Sequence, residues 1–133
     1  MALAESLRHI NKTKKDNKLS ALTAALDEAN AAYLDNSKEP SRKAGEPDNK
    51  ASHFFLAQYW AKALAEQTAD AELASKFANV AKALSENEAK IMEELLAVEG
   101  KPQDIGGYCH PDAAKTEKAM RPSATLNAII ASI

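Results

Sequence analysis

Apolar side chains recur at steps of three and four residues along most of this chain, which is the spacing of one face of an α-helix. Over residues 17–35 that face carries five such side chains: Leu19, Leu22, Leu26, Ala29 and Tyr33. Pro40 follows, and a proline disfavours helical geometry in the residue before it. The pattern predicts a helix over 17–35 that ends ahead of this proline.

The next two segments carry the widest apolar surface. Over residues 52–68 two adjacent rows run side by side, formed by Phe55, Tyr59 and Ala63 and by Leu56, Trp60 and Leu64. Ser52 is a residue type that favours the N-cap position. A very short connection leads into a further helical pattern over 71–98, so we expect these two helices to form a central antiparallel hairpin.

Asn87 falls on the apolar stripe of residues 71–98. The residues around it, SENE, leave two interpretations open. Ser85 and Glu88 could form a capping box that starts a second helix, or the segment could bend at this point.

Three shorter segments complete the helical pattern. We expect helices over Ala2–His9 and Asp112–Met120, and a last helix with Pro122 as its first residue, because proline suits the first helical position. The side chains of that last helix that are predicted to pack inward are Leu126, Ile129 and Ile130.

Together these segments predict an all-α fold, with antiparallel helical hairpins or a bundle of about five helices. Irregular loops are predicted at residues 35–51 and 99–112, where the prolines and glycines concentrate. The length of 133 residues predicts a single helical unit over 1–133.

Charge and composition narrow the classes of partner. The net charge of −2 gives no sign of a nucleic-acid-binding surface. The basic run at residues 12–18 is interrupted by Asp16 and is predicted to be a solvated helix start. No stretch approaches the roughly 20 apolar residues of a membrane span, and the N-terminus lacks the apolar core of a secretory signal. We therefore expect no nucleic acid, no membrane association and a cytoplasmic location, which the single cysteine also favours.

The side chains that could bind a transition metal or act as a nucleophile are few: His9, His53, Cys109 and His110. A structural zinc site needs four ligands in spaced pairs, and the adjacent Cys109 and His110 cannot easily face one ion. A thiolate nucleophile at Cys109 lacks an evident third residue to orient His110. We expect no catalytic residue and no metal ligand in this chain.

The charged turn PSRKAGE at residues 40–46 is the more suggestive polar feature. Arg42 offers a planar fork of donors that suits a phosphate, and a hydroxyl such as that of Ser41 can add to it. Taken alone, the turn is more typical of a solvated loop.

Four longer stretches cover nearly the whole chain: PSRKAGEPDNKASHFFLAQYWAKALAEQT, AKALSENEAKI, GKPQDIGGYCHPD and AMRPSATLNAII. In order and spacing they resemble the C-terminal part of the monomeric-type NADP-dependent isocitrate dehydrogenases. That family has Tyr at the position of Cys109 and Arg-Gly at Lys50-Ala51. The first departure argues against a catalytic role for Cys109.

The resemblance implies a function for a longer protein. That family converts isocitrate to 2-oxoglutarate by oxidative decarboxylation, with NADP⁺ and Mg²⁺ or Mn²⁺. Its acid–base pair and its metal-binding aspartates lie in segments before this one, so the resemblance implies that this chain is inactive alone. The one functional contact carried over to this chain is Arg42, at the 2′-phosphate of NADP.

The remainder of such a dehydrogenase is then the expected partner. The apolar stripe of residues 2–9 starts without an N-cap residue, which is expected of a segment of a longer chain. Apolar faces left uncovered in such a segment favour association, including self-association. The alternative is a free-standing helical interaction or assembly module descended from that enzyme's tail.

Overall fold

The computed structural model describes residues 2–133, and within that range it contains seven α-helices and no β-strand. They are α1 (Ala2–Lys14), α2 (Asn17–Asp35), α3 (Asn49–Glu66), α4 (Ala71–Glu86), α5 (Glu88–Leu96), α6 (Ala113–Met120) and α7 (Ala124–Ala131). The all-α prediction is confirmed. Each predicted segment contains a helix, and the segment 71–98 divides in two at Asn87, so the described helices outnumber the predicted bundle of about five.

α3 is the centre of the fold. It packs against both α2 and α4, while α1 lies against α2, and α7 lies against α4 and α5. The main buried cluster joins α3, α4, α5 and α7 through Ala51, Phe54, Phe55, Ala61, Val80, Leu84, Ile91, Leu95 and Ile129. Burial of these apolar side chains supplies most of the stabilisation of such a core.

Two polar side chains fix the central helix to its neighbours. The Trp60 indole donates a hydrogen bond of 3.1 Å to the carbonyl oxygen of Leu22 in α2. Gln58 is buried, and its amide donates to the Glu88 carboxylate at 2.9 Å. Both bonds satisfy donors that would otherwise be costly to bury.

The chain between α1 and α2 differs from its prediction. α1 continues to Lys14 instead of ending at His9, because lysine is a good helix former and suits the last turn of a helix. The basic run is therefore largely a helix end, and the chain turns at Lys15, which has φ of +51°. Asp16 then caps α2 by accepting the Lys18 amide at 2.7 Å.

The start of α3 also lies earlier than predicted. Asp48, not Ser52, is the N-cap, and its carboxylate accepts the amides of Lys50 and Ala51 at 2.8 and 3.2 Å. Ser52 is buried in the first turns, where its hydroxyl pairs with that of Tyr33 at 2.5 Å. The first irregular loop therefore spans residues 36–48.

A second helix does start after Asn87, as one of the two interpretations has it, but the capping box of Ser85 and Glu88 does not form. The side-chain amide of Asn87 donates to the Ala83 carbonyl at 2.9 Å, and α5 has no side-chain cap. The second irregular loop covers residues 97–112, and Asp112 caps α6 by accepting the Lys115 amide at 2.9 Å.

The last helix begins at Ala124, so the expectation that Pro122 is its first residue is wrong. Ser123 is the N-cap and accepts the Leu126 amide at 3.0 Å. Ile129 is buried as predicted, but Ile130 is 47% exposed. None of the helices within residues 2–133 is long and apolar enough to cross a membrane.

Candidate functional site

The loop over residues 36–48, here called the Arg42 loop, is closed on itself by hydrogen bonds around its charged turn. The amide of Ser41 donates to the Pro47 carbonyl at 2.7 Å, and the Ser41 hydroxyl donates to the Glu46 carboxylate at 2.5 Å. The Glu46 amide donates in turn to the Lys43 carbonyl at 3.2 Å. These bonds give a solvent-exposed segment a defined course.

The cations in and beside this loop differ in whether they have a partner. Lys38 lies over the Phe55 ring, with its Nζ 4.1 Å from the ring centroid. Lys43 faces the Glu46 carboxylate at 3.7 Å, and Lys50 forms an ion pair with Asp48. Arg42 is exposed and, within residues 2–133, forms neither a hydrogen bond nor an ion pair through its side chain. Its guanidinium is free to bind an anion.

The chemistry available at Arg42 follows from its geometry. A guanidinium presents its donors in one plane, which matches two oxygens of a phosphate group better than an ammonium does. Of the three acids of the loop, Glu46 is bonded to Ser41 and Asp48 to Lys50. The third, Glu39, forms no ion pair with Arg42 within residues 2–133. An anion that approached from solvent would meet an unpaired positive charge.

Asp48 anchors the end of the loop where α3 begins. Partial burial raises the pKa of the Asp48 carboxyl, but its bonds with Lys50 and with the Ala51 amide outweigh that effect and hold the pKa below the ordinary 3.8. The carboxylate is therefore ionised at neutral pH and remains available both as a cap and as an ion-pair partner.

The structure does not bring the other candidate residues together. His9, His53 and His110 are exposed, and Cys109 is an exposed free thiol. His53 has its Nδ1 2.6 Å from the Asn49 carbonyl of its own helix. Across residues 2–133, no group of three or more His, Cys, Asp or Glu side chains could hold a metal ion.

An apolar groove is a prominent concave feature of the described chain. It has a volume of about 600 Å³ and lies between α3, α4 and α7. Its floor includes Phe54, Leu64 and Val80, and its rim includes Met120 and Ile133, which are 64% and 49% exposed. Sequence reasoning missed this groove because all three of Leu126, Ile129 and Ile130 were expected to pack inward.

Comparison with known proteins gives one family. A family model described as monomeric isocitrate dehydrogenase matches residues 1–131. Isocitrate dehydrogenase [NADP] of Azotobacter vinelandii is 54% identical over 131 residues, which are 98% of this chain and 18% of that protein.

Two further relatives match this chain over its full length. Isocitrate dehydrogenase [NADP] of Corynebacterium efficiens is 51% identical over 133 residues, and isocitrate dehydrogenase [NADP] 2 of Colwellia maris is 48% identical over 133 residues. Each alignment covers 100% of this chain and 18% of the relative. The chain thus spans less than a fifth of the length of these relatives and corresponds to their C-terminal portion.

Proposed function

The chain belongs to the monomeric isocitrate dehydrogenase family, and from that premise we propose that it serves as the C-terminal part of an NADP-dependent isocitrate dehydrogenase. The complete enzyme would convert isocitrate to 2-oxoglutarate and CO₂, with NADP⁺ as the hydride acceptor. The observation that carries the proposal is the 54% identity to a relative named as an NADP enzyme, over 98% of this chain.

Within that enzyme, the role of the chain is to supply a helical scaffold and one coenzyme contact. We propose that Arg42 binds the 2′-phosphate of NADP, the group that distinguishes this coenzyme from NAD. Its support is that Arg42 lacks a side-chain partner within residues 2–133, while Lys38, Lys43 and Lys50 each have one.

The divalent metal of the reaction, Mg²⁺ or Mn²⁺, would be held elsewhere in the enzyme. Such ions prefer several oxygen ligands that converge on one point. Residues 2–133 offer no convergent group of three or more suitable side chains. We therefore propose that the chain is inactive alone, and that its partner is the remainder of the dehydrogenase chain.

The apolar groove supports that choice of partner. Soluble monomers rarely leave large apolar patches uncovered, and the relatives contain several times more chain than is present here. We propose that the remainder of the enzyme covers the groove, and that the separated chain self-associates through it. We place the enzyme in the cytoplasm, which the exposed free thiol of Cys109 favours.

The test of the Arg42 assignment is a comparison of two coenzymes in the complete enzyme. Arg42→Ala is expected to raise the KM for NADP about ten- to a hundredfold, because a hydrogen bond to a charged group is worth about 1.5–3 kcal/mol and each decade corresponds to about 1.4 kcal/mol. The KM for NAD, which lacks the 2′-phosphate, should change little.

Lys43→Ala is the matched control, because Lys43 is the neighbouring exposed cation but faces Glu46. It should leave the NADP to NAD ratio close to that of the unaltered enzyme. Equal effects of Arg42→Ala on both coenzymes, or equal effects of the two variants on NADP, would overturn the assignment.

A further inference from the structure

The two irregular loops of the chain meet at one point. The amide of Gly45, in the Arg42 loop, donates a hydrogen bond of 3.0 Å to a carboxylate oxygen of Glu99, in the loop over residues 97–112. The neighbouring residue Gly100 has φ of +68°, and a Cβ placed on it would lie 3.2 Å from the Cβ of Ala44. The backbones of the two loops are therefore in close contact here.

The position of Glu99 in this bond leaves half of its carboxylate without a hydrogen bond in the described part of the chain. Its carboxylate oxygen Oε1 is buried and has no hydrogen-bond partner within residues 2–133, which costs free energy of desolvation. The bond from Gly45 to Oε2 is the hydrogen bond that the described structure gives this carboxylate. A partly buried acid that holds the backbone of another loop is a structural restraint on that loop.

The restraint acts on the turn that carries Arg42. Before Arg42, Ser41 is bonded to Pro47 and Glu46 of the same loop. After it, Gly45 is bonded to Glu99, which belongs to a different part of the chain. The bonds of Ser41 close the turn on itself. The bond of Gly45 fixes the turn relative to the helical core, since the Glu99 amide donates a hydrogen bond of 3.1 Å to the carbonyl of Leu96, the last residue of α5.

We propose that Glu99 is a positioning residue for coenzyme binding, and that it holds the Arg42 loop in the orientation that presents the guanidinium to the 2′-phosphate of NADP. The inference rests on the proposed function of Arg42. Glu99 itself does not touch the coenzyme. Loss of its restraint lowers the fraction of molecules in which Arg42 is correctly placed, and the apparent affinity falls by the same fraction.

The experiment uses the complete enzyme and the variants Glu99→Ala, Glu99→Gln and Arg42→Ala. Glu99→Ala should raise the KM for NADP about three- to tenfold, which corresponds to a correctly placed fraction of about 0.1–0.3. The kcat and the KM for NAD should stay unchanged. Glu99→Gln keeps an oxygen that can accept the Gly45 amide, so it should restore most of the affinity.

Two further measurements distinguish a positioning role of Glu99 from a general loss of stability. The double variant Arg42→Ala/Glu99→Ala should be no worse than Arg42→Ala, because the restraint acts only through that arginine. Limited trypsin digestion should cleave the loop after Arg42 or Lys43 faster in Glu99→Ala than in the unaltered enzyme. Glu93→Ala is the control, since Glu93 is an exposed acid nearby on α5 whose side chain forms no bond within residues 2–133.

Each outcome decides between the two proposals. If Arg42→Ala raises the KM for NADP while Glu99→Ala changes neither that KM nor the rate of cleavage, the positioning role is wrong and the coenzyme contact stands. Faster cleavage without a change in KM also overturns the positioning role. If Arg42→Ala leaves the KM for NADP unchanged, the proposed function fails, and the inference fails with it.

Discussion

Two glycines of this chain share a left-handed backbone but differ in their surroundings. Gly106 has φ of +80° and Gly45 has φ of +83°. A Cβ placed on Gly106 would lie 2.9 Å from the Cβ of Asp112, whereas nothing lies within 4 Å of a Cβ placed on Gly45. The amide of Asp112 also donates to the Ile105 carbonyl at 2.8 Å, so the loop cannot easily open to relieve that contact.

Alanine at these two positions should therefore have unequal effects on stability. Gly45→Ala should lower the free energy of unfolding by about 1 kcal/mol, the cost of a left-handed conformation for a residue with a Cβ. Gly106→Ala should lower it by about 2–3 kcal/mol, because overpacking against Asp112 is added to the same backbone strain. Urea unfolding followed by circular dichroism measures both values, and equal losses would contradict the packing argument.

At this scale the sequence indicates which side chain suits a phosphate but not whether that side chain is free. Arg42 was singled out by its chemistry and by family resemblance. Arg42 has no side-chain partner within residues 2–133, whereas the three neighbouring lysines do. This difference depends on the folded positions of the groups that the lysines contact, which are Phe55, Glu46 and Asp48. Such pairings are set by the folded positions of several elements, and no local pattern contains them. Glu99 was missed for the same reason, since its partner Gly45 is 54 positions away.

Among the elements, α5 and the start of α7 are joined by hydrogen bonds that, within residues 2–133, all go to a single acid. The Glu94 carboxylate accepts the Ser123 hydroxyl at 2.6 Å, the Thr125 hydroxyl at 2.8 Å and the Thr125 amide at 3.1 Å. The hydrogen bonds from Ser123 and Thr125 outweigh desolvation and hold the pKa of Glu94 below the ordinary 4.5. An acid beside the N-terminus of α7 is also favoured by the helix dipole.

The docking of α7 should therefore weaken in acid. A carboxyl whose pKa is lowered on folding contributes stability above its ordinary value, and that contribution is lost as the pH falls from 4.5 through the folded-state pKa. Glu94→Gln should lower the free energy of unfolding by about 1 kcal/mol at neutral pH. It should also flatten the dependence of stability on pH in this acid range, as measured by urea unfolding at a series of pH values.

The exposed neighbour Glu93 supplies the control, because its side chain forms no bond within residues 2–133. Glu93→Gln should leave both the stability and its pH dependence nearly unchanged. If the two variants behave alike, Glu94 does not anchor α7.

Helix positions could be predicted better than helix starts. The apolar period identified α2 with its observed bounds, because repeated burial leaves a long signal. The short connection after α3 correctly predicted that α3 and α4 are neighbours. A start depends on one residue, and both Asp48 and Ser52 are good caps. Asp48 is the cap because Ser52 is buried against Tyr33, a contact between helices that the local sequence does not contain.

At the scale of the whole molecule, the groove between α3, α4 and α7 is an apolar surface that the described residues leave uncovered. Three of the seven exposed large apolar side chains of residues 2–133 line it: Met120, Ile130 and Ile133. If the remainder of the enzyme covers the groove, these side chains are buried in the complete protein. A charge placed among them then acts very differently in the separated chain and in the complete enzyme.

Ile130→Lys is expected to show that difference. Because Ile130 is already 47% exposed, the substitution should hardly change the stability of the separated chain, and it should reduce both self-association in sedimentation and the binding of an apolar dye. In the complete enzyme the same lysine would be buried without a partner, so thermal inactivation should be several times faster. Ala128→Lys, on an exposed position of α7 outside the groove, should change none of these properties.

A separated chain that remains monomeric and binds no dye, together with equal inactivation rates for the two lysine variants, would show that the remainder of the enzyme does not cover the groove. That result would favour a free-standing helical module instead.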